Sequence, residues 1–224
     1  MLKIYYRISN NSYNKQKPDY ATKENCFKNF IKIFGTDNLW VIGDNLTDES
    51  LKTLIKNTTP NFLDTSLGNA KSFLFVLEHF LENSDVGDTV YFVEDDYLHL
   101  PNSKDVLIEG LTQFDYVTLY DHPDKYTKLY NMAEDSKVYF TGSTHWKTTI
   151  STTMTFASSI GVLTRDYEVF EKHCQTNHPY DHEIFTQLKK KNRILVSPIP
   201  SLSTHCETQW LAPKIDWESY GRTV

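Results

Sequence analysis

Residues 89–97 read TVYFVEDDY, an apolar stretch rich in β-forming residues that runs directly into Glu94, Asp95 and Asp96. Like charges placed side by side repel one another unless a metal ion or a cationic side chain neutralises them. Hard carboxylate oxygens suit Mg²⁺ or Mn²⁺, and these ions characteristically carry substrate phosphates in their remaining positions. The stretch therefore predicts a cation site at the end of a core strand, with a solvated acidic turn as the alternative.

Short apolar runs alternate with helical patterns on the N-terminal side of this stretch. Strands are predicted at 4–8, 39–43, 62–65 and 90–93, and helices at 22–34, from Thr47 or Asp48 to 55, and at 66–81. This alternation favours an α/β fold with a mainly parallel sheet, helices on both sides and ligands at the carboxyl ends of the strands. Asp44 and the acidic triplet follow such strand ends.

The second half of the chain has a different pattern. Strands are predicted at 114–120, 137–141 and 194–196, helices at 166–174 and 181–191, and a broken pair of small-residue strands within 152–163. The polar and aromatic residues 144–149 are interpreted as a connection, and the residues after 196 as a tail punctuated by prolines.

The composition indicates one globular domain without a membrane span. A length of 224 residues suits one sizeable α/β domain, and a mean hydropathy of -0.49 without a long apolar run argues against a spanning helix. The first residues predict a strand rather than a signal segment, and three widely spaced cysteines suit reduced thiols, so we expect a cytoplasmic protein. A net charge of -6 argues against extended nucleic-acid binding.

Four features in this order resemble the GT-A glycosyltransferases, which use nucleotide-sugar donors, and the resemblance spans most of the chain. Residues 93–96 stand where that family has its Asp-X-Asp-type motif, and 154–166 are similar to its segment before the acceptor site. Residues 180–188 fit the Glu-Asp-x-x-Leu motif of family-2-like members, with Tyr180 in place of the glutamate. His205 matches a late histidine of metal-dependent members.

The resemblance implies a single GT-A-like, Rossmann-like domain over residues 1–224, with a nucleotide-binding half at 1–100 and an acceptor-binding half at 101–224. It implies metal-dependent transfer of a hexose-type sugar from a nucleoside diphosphate donor, expected to be UDP-linked, to a glycan or glycoprotein acceptor. The size and the Tyr-, Asn- and Lys-rich composition are also similar to small glycosyltransferase domains of large DNA viruses.

The same resemblance assigns roles around the metal. Asp96 is the expected direct ligand of Mn²⁺ or Mg²⁺, with Glu94 and Asp95 in the same donor site. His205 is a second expected metal ligand or, alternatively, a partly buried polar side chain. Asp181 is the expected base that accepts the proton of the acceptor hydroxyl, or a cap of the helix that follows.

Donor recognition is expected at the ends of the first strands. Arg7 would stack on or bond to uracil, and Asp44 would either bind the base or form a turn. Residues 68–71 resemble the helix-opening segment that packs near the ribose and diphosphate in this fold, and Lys71 within them would bind phosphate or remain solvated. Trp146 would stack on a sugar ring or cover the core.

Two other functions stay open at this point. A sugar-phosphate nucleotidyltransferase is also α/β and Mg²⁺-dependent, but it should carry a glycine- and basic-rich N-terminal phosphate loop, and residues 8–20 contain no glycine. A non-catalytic carbohydrate-binding or assembly module should show no metal-linked nucleotide binding. The stereochemistry is also open, because Asp181 as base implies inversion whereas a late metal-binding histidine is common in retaining members.

Overall fold

The acidic triplet lies at the end of a strand in the middle of a large sheet. The structure is a computed structural model that describes residues 1–11, 15–126 and 136–223. Its strands are β1 Leu2–Ile8, β2 Leu39–Asp44, β3 Phe62–Thr65, β4 Thr89–Glu94, β5 Tyr97–His99, β6 Tyr116–Val117, β7 Val138–Phe140, β8 His145–Thr148, β9 Phe156–Ser159, β10 Leu195–Ile199 and β11 Ser203–His205. Its α-helices are α1 Lys23–Phe34, α2 Glu49–Thr58, α3 Asn69–Glu82, α4 Ser103–Leu111, α5 Ile160–His173, α6 Asp181–Lys190 and α7 Trp217–Arg222.

The main sheet has the strand order β3-β2-β1-β4-β9-β6-β10-β8-β7. The first four strands are parallel, β9 is antiparallel to both of its neighbours, β6 and β10 are parallel, and β8 is antiparallel to β10 and β7. Within the described residues, all strands of this sheet except β8 and β9 therefore point in one direction. This confirms the predicted fold class, a mixed α/β fold with a mainly parallel, Rossmann-like sheet flanked by helices. A small second sheet pairs β5 with β11.

Strand β4 is apolar along its length because helices cover both faces of the sheet. Successive side chains of a strand point to opposite faces. Tyr91 and Val93 pack in the cluster that contains the phenylalanines of α1, whereas Val90 and Phe92 pack in the cluster that contains the apolar residues of α3 and α5. Burial on both faces is typical of parallel strands.

The N-terminal elements lie close to their predicted positions, and local contacts explain their ends. The carboxylate of Asp48, rather than Thr47, caps α2 and accepts hydrogen bonds from the backbone of Ser50 and Leu51. Helix α3 begins at Asn69 instead of residue 66, because the loop before it is held in a non-helical conformation, with Gly68 at a φ of 84°. Positive φ values of this kind favour glycine.

The strand pair predicted within 152–163 is wrong. Strand β9 ends at Ser159, whose hydroxyl accepts a hydrogen bond from the backbone of Val162 and so caps α5 from Ile160 onward. The apolar residues after Ser159 therefore form the first turn of a helix rather than a second strand, because a serine cap satisfies the free backbone donors of a helix start. Helix α5 consequently begins six residues before the predicted 166–174 helix.

Other parts of the second half also differ from the predictions. The predicted 114–120 strand is reduced to β6, and the connection at 144–149 contains β8. The predicted tail contains β11 and α7, and α4 was not predicted. No helix formed by the described residues has both the length and the apolar character that crossing a membrane requires.

Candidate active site

One cavity of about 840 Å³ lies at the carboxyl ends of β1, β2 and β4 and extends to the first turns of α3 and α6. Carboxyl ends of parallel strands are the usual ligand-binding edge of such sheets. The structure brings eight of the nine residues that the sequence singled out to the lining of this cavity: Arg7, Asp44, Lys71, Glu94, Asp95, Asp96, Asp181 and His205. The shared location is established, whereas the individual roles stay predictions.

Two members of the acidic triplet are neutralised by basic side chains of the protein. Glu94 forms an ion pair with Arg7, whose Nη2 lies 3.1 Å from Oε1, and the two residues are opposite each other in the β1–β4 ladder. Asp95 accepts hydrogen bonds from Lys23 Nζ at 2.6 Å and from the backbone of Ser9 at 2.8 Å. Burial raises the pKa of Glu94, although the positive charge of Arg7 opposes this shift.

Asp96 has two basic partners on a single oxygen. Its Oδ2 lies 2.9 Å from Lys17 Nζ and 3.1 Å from His205 Nε2. Burial would raise the pKa of Asp96, but the charges and hydrogen bonds of His205 and Lys17 outweigh burial and hold this pKa well below its usual range. Burial would likewise lower the pKa of His205, but the carboxylate of Asp96 outweighs it and the pKa is raised.

The Asp96–His205 pair has the chemistry and spacing of two adjacent metal ligands. In an octahedral site with bonds of about 2.1 Å, neighbouring ligand atoms lie about 3.0 Å apart, and the observed Oδ2 to Nε2 distance is 3.1 Å. No group of three or more His, Cys, Asp or Glu side chains within the described ranges is arranged to hold a metal. The pair therefore fits an ion whose remaining positions are taken by water and substrate phosphates, as is usual for Mg²⁺.

Asp44 holds the loop that precedes α3. Its Oδ1 accepts hydrogen bonds from Thr65 Oγ1 at 3.0 Å and from the backbone of Leu67, and its Oδ2 accepts from the backbone of Gly68 and the side chain of Asn45, each at 3.0 Å. A carboxylate has about four lone-pair positions. Since the four hydrogen bonds occupy these lone-pair positions, the geometry of Asp44 matches the turn-forming alternative better than recognition of a nucleotide base.

Arg7 is fixed against the first turn of α3. Its Nη1 donates to the backbone and side-chain oxygens of Asn69 and to Ser72 Oγ, and its guanidinium lies 5.4 Å from the centroid of the Phe73 ring. Arg7 is buried, whereas Lys71 is exposed at the rim of the same cavity. The charge of Arg7 is balanced by Glu94, and the N-terminus of α3 makes this part of the cavity suitable for an anion.

Asp181 also lines the cavity, in the first turn of α6. The cap position of the helix is Tyr180, which makes no side-chain cap bond, and Asp181 Oδ1 accepts a hydrogen bond of 2.6 Å from the backbone of His182. Burial raises the pKa of Asp181 and outweighs the hydrogen bond and positive charge of His182, which lower it. A carboxylate in a cavity with a raised pKa has the properties of a proton acceptor.

The sequence reasoning missed two parts of the cavity. Lys15 and Lys17 line it, although the polar segment after β1 was interpreted only as a loop; two lysines just beyond a strand end were the available signal. Residues 176–179 also line it, because the backbone oxygen of Asn177 accepts a hydrogen bond from Ala70 and brings this connection onto α3. No local pattern marks that contact.

Trp146 is part of the core, and the prediction that it stacks on a sugar is wrong. Its side chain is fully buried in β8, and its Nε1 donates to Thr141 Oγ1 at 2.9 Å. The ring packs so closely on Gly110 that a Cβ atom added there would lie 3.0 Å from it. The alternative of an aromatic residue that completes the core is correct.

Several solved structures have a similar fold at low sequence identity. Residues 1–349 of S. aureus TarS are 17% identical with a TM-score of 0.51; the match covers 87% of this chain and 57% of that one, so this chain spans little more than half of it. The inositol-1-phosphate CTP transferase from T. maritima is 12% identical with a TM-score of 0.50, covering 98% of this chain and 94% of that one. The bifunctional glycosyltransferase WbbM is 9% identical with a TM-score of 0.47, covering 83% and 36%.

At these identities the likeness shows the fold alone. No family model matches the sequence, and no curated protein matches it.

Proposed function

We propose that this protein is a metal-dependent glycosyltransferase that moves a sugar from a nucleoside diphosphate donor, UDP-linked, to a hydroxyl group of a glycan or glycoprotein. One observation carries the proposal. A single cavity is lined by a carboxylate–imidazole pair with metal-ligand spacing and by a half-buried carboxylate with a raised pKa. The first arrangement suits a leaving diphosphate and the second suits an attacking hydroxyl.

Sugar transfer needs positive charge at the leaving group. The transition state resembles an oxocarbenium ion, and negative charge accumulates on the departing diphosphate. Asp96 and His205 would hold the divalent ion, which supplies Lewis-acid stabilisation of that charge. The N-terminus of α3, whose first turn Arg7 holds in place, adds fixed partial positive charge at the same cavity, and preorganised charges of this kind do not have to reorient during the reaction.

Asp181 would activate the acceptor. The acceptor hydroxyl transfers its proton to the carboxylate while its oxygen forms the new bond to the anomeric carbon. The bond from that carbon to the diphosphate oxygen breaks, and its electron pair stays on the diphosphate. Direct attack of this kind inverts the anomeric configuration.

A nucleotidyltransferase is the second candidate. The similarity to the T. maritima CTP transferase extends over nearly the whole of both chains, and Lys15 and Lys17 place basic side chains just after β1. The lack of glycine in residues 8–20 is evidence against a close-fitting phosphate loop. This enzyme would consume a nucleoside triphosphate and release pyrophosphate, whereas a non-catalytic carbohydrate-binding module would do neither.

Calorimetric titration with UDP and with CTP, each with and without Mn²⁺, tests the proposal. We expect Mn²⁺-dependent binding that favours UDP. The variant Asp96→Asn should weaken it by more than about tenfold, the smallest effect typical of losing even an outer-shell partner of a metal site. Asp64→Asn, an exposed carboxylate outside the cavity, is the matched control. Binding of UDP that does not depend on Mn²⁺, or is unchanged in folded Asp96→Asn protein, contradicts the proposal.

A further inference from the structure

We propose that Lys17 is the counter-ion of Asp96 in the metal-free protein. Lys17 leaves this carboxylate when a divalent ion binds there, and it then contacts the donor diphosphate. The identity of the anion rests on the proposed function, whereas the competition between Lys17 and a metal ion does not.

The first observation is that Lys17 contacts the same oxygen that a metal would need. Lys17 Nζ lies 2.9 Å from Asp96 Oδ2, and His205 Nε2 lies 3.1 Å from that oxygen. A divalent ion would have to lie about 2.1 Å from it. An ammonium group and a divalent ion so close to one oxygen repel each other strongly, because Coulomb energies at such separations reach several kcal/mol at a protein surface. Occupation by one therefore displaces the other.

The second observation is that Lys17 is easier to displace than the cations of the other two carboxylates. Arg7 is buried and bonded to α3 as well as to Glu94, and Lys23 belongs to the first turn of α1. Lys17 lies in a segment without helix or strand, whereas Lys23 is held by a helix; the two side chains are equally exposed, at 21%. Within the described residues, its hydrogen bonds and ion pairs go only to Asp96. A lysine ammonium on a flexible stem can be redirected without moving the backbone.

The third observation concerns where Lys17 can go. It lines the same cavity as the expected diphosphate site, so an anion carried on an ion at Asp96 lies next to it. The formal charges also balance in both states. With the imidazole of His205 counted as neutral, one ammonium faces one carboxylate in the absence of metal. With metal and a sugar nucleotide, a divalent ion and an ammonium face one carboxylate and a doubly charged diphosphate. The site would thus never bury an unpaired charge, which is costly in proteins.

The test measures Mn²⁺ and nucleotide binding separately. Free Mn²⁺ is quantified by electron paramagnetic resonance in titrations of wild-type protein, Lys17→Met and Lys28→Met. Lys28 lies on α1, is paired with Glu24 and is outside the cavity, so it controls for the loss of one positive charge. We expect Lys17→Met to tighten Mn²⁺ binding by about tenfold or more, and Lys28→Met to leave it unchanged.

The second arm uses UDP and uridine at saturating Mn²⁺. Lys17→Met should weaken binding of UDP several-fold, because a charge-assisted contact to phosphate is lost, and should leave uridine binding unchanged. Opposite effects on Mn²⁺ and UDP separate this role from a structural one, which would weaken both. If Lys17→Met binds Mn²⁺ as tightly as the wild type or more weakly, the inference about Lys17 is overturned, but the proposed function is not. Failure of Mn²⁺ to bind any of the proteins overturns both the inference and the metal-dependent function.

Discussion

Replacing Asp181 by asparagine separates its proposed catalytic role from its place at the start of α6. The amide has the same shape, and its oxygen can still accept the hydrogen bond that His182 donates. Loss of a negative charge near a helix N-terminus costs about 0.3–1 kcal/mol. We therefore expect Asp181→Asn to fold, with a free energy of unfolding within about 1 kcal/mol of the wild-type value.

The expected loss in rate is much larger. Removing a general base typically costs about 10²–10⁴-fold, which corresponds to about 3–5 kcal/mol at 1.36 kcal/mol per tenfold. Donor binding should be retained. Burial is the main cause of the raised pKa of Glu94, and the negative charge of Asp181 adds to it, because the two carboxylates repel each other. Asp181 does not attract an anionic donor, so neutralising Asp181 should not weaken binding of the donor.

The assay measures UDP release from a panel of UDP-sugars with a panel of oligosaccharide acceptors, together with donor affinity by calorimetry. Glu183→Gln is the matched control, because Glu183 lies in the same first turn but is exposed outside the cavity. In the wild type, kcat/KM should rise with pH through the pKa of Asp181, which burial places above its ordinary value near 3.9. This dependence should disappear in Asp181→Asn. Wild-type turnover in Asp181→Asn would refute the reasoning, and so would a loss explained entirely by weaker donor binding.

Two further predictions concern a proposed metal ligand and a buried ion pair. His205→Ala should weaken Mn²⁺-dependent UDP binding in calorimetry more than it weakens uridine binding, because uridine lacks the diphosphate; equal losses would reject His205 as a ligand. Asp166 is fully buried. Burial would raise its pKa, but hydrogen bonds from Arg193 and Tyr116 outweigh burial and lower this pKa. Its stabilising contribution is therefore complete above the unfolded-state pKa of about 3.9 and is lost as the pH falls through the lower folded-state value. In urea unfolding, the free energy of unfolding of Asp166→Asn should be lower than that of the wild type by about 3 kcal/mol at pH 7 and by clearly less at pH 3. A difference that stays constant between these pH values would contradict a stabilising ion pair of Asp166.

The amino-acid sequence by itself determined the N-terminal half of the fold and the position of the site in the sheet. Apolar runs and helical periodicity are local properties, so the first strands and helices could be read with errors of a few residues at their ends. The rule that ligands bind at the carboxyl ends of parallel strands then placed Asp44 and the acidic triplet at one edge. The family resemblance added Asp181 and His205, and all of these residues line one cavity.

Only the tertiary structure decided which charges meet. Lys17 lies 79 residues before Asp96, and His205 lies 109 residues after it, yet both contact the same carboxylate oxygen. The apolar pattern did not reveal that β9 runs antiparallel between β4 and β6, or that Trp146 fills the core. Burial and ion pairing depend on distances between residues far apart in the chain, and local periodicity carries no information on those distances. The sequence therefore predicted that the triplet needs positive charge, and the fold determined that basic side chains of the protein supply it.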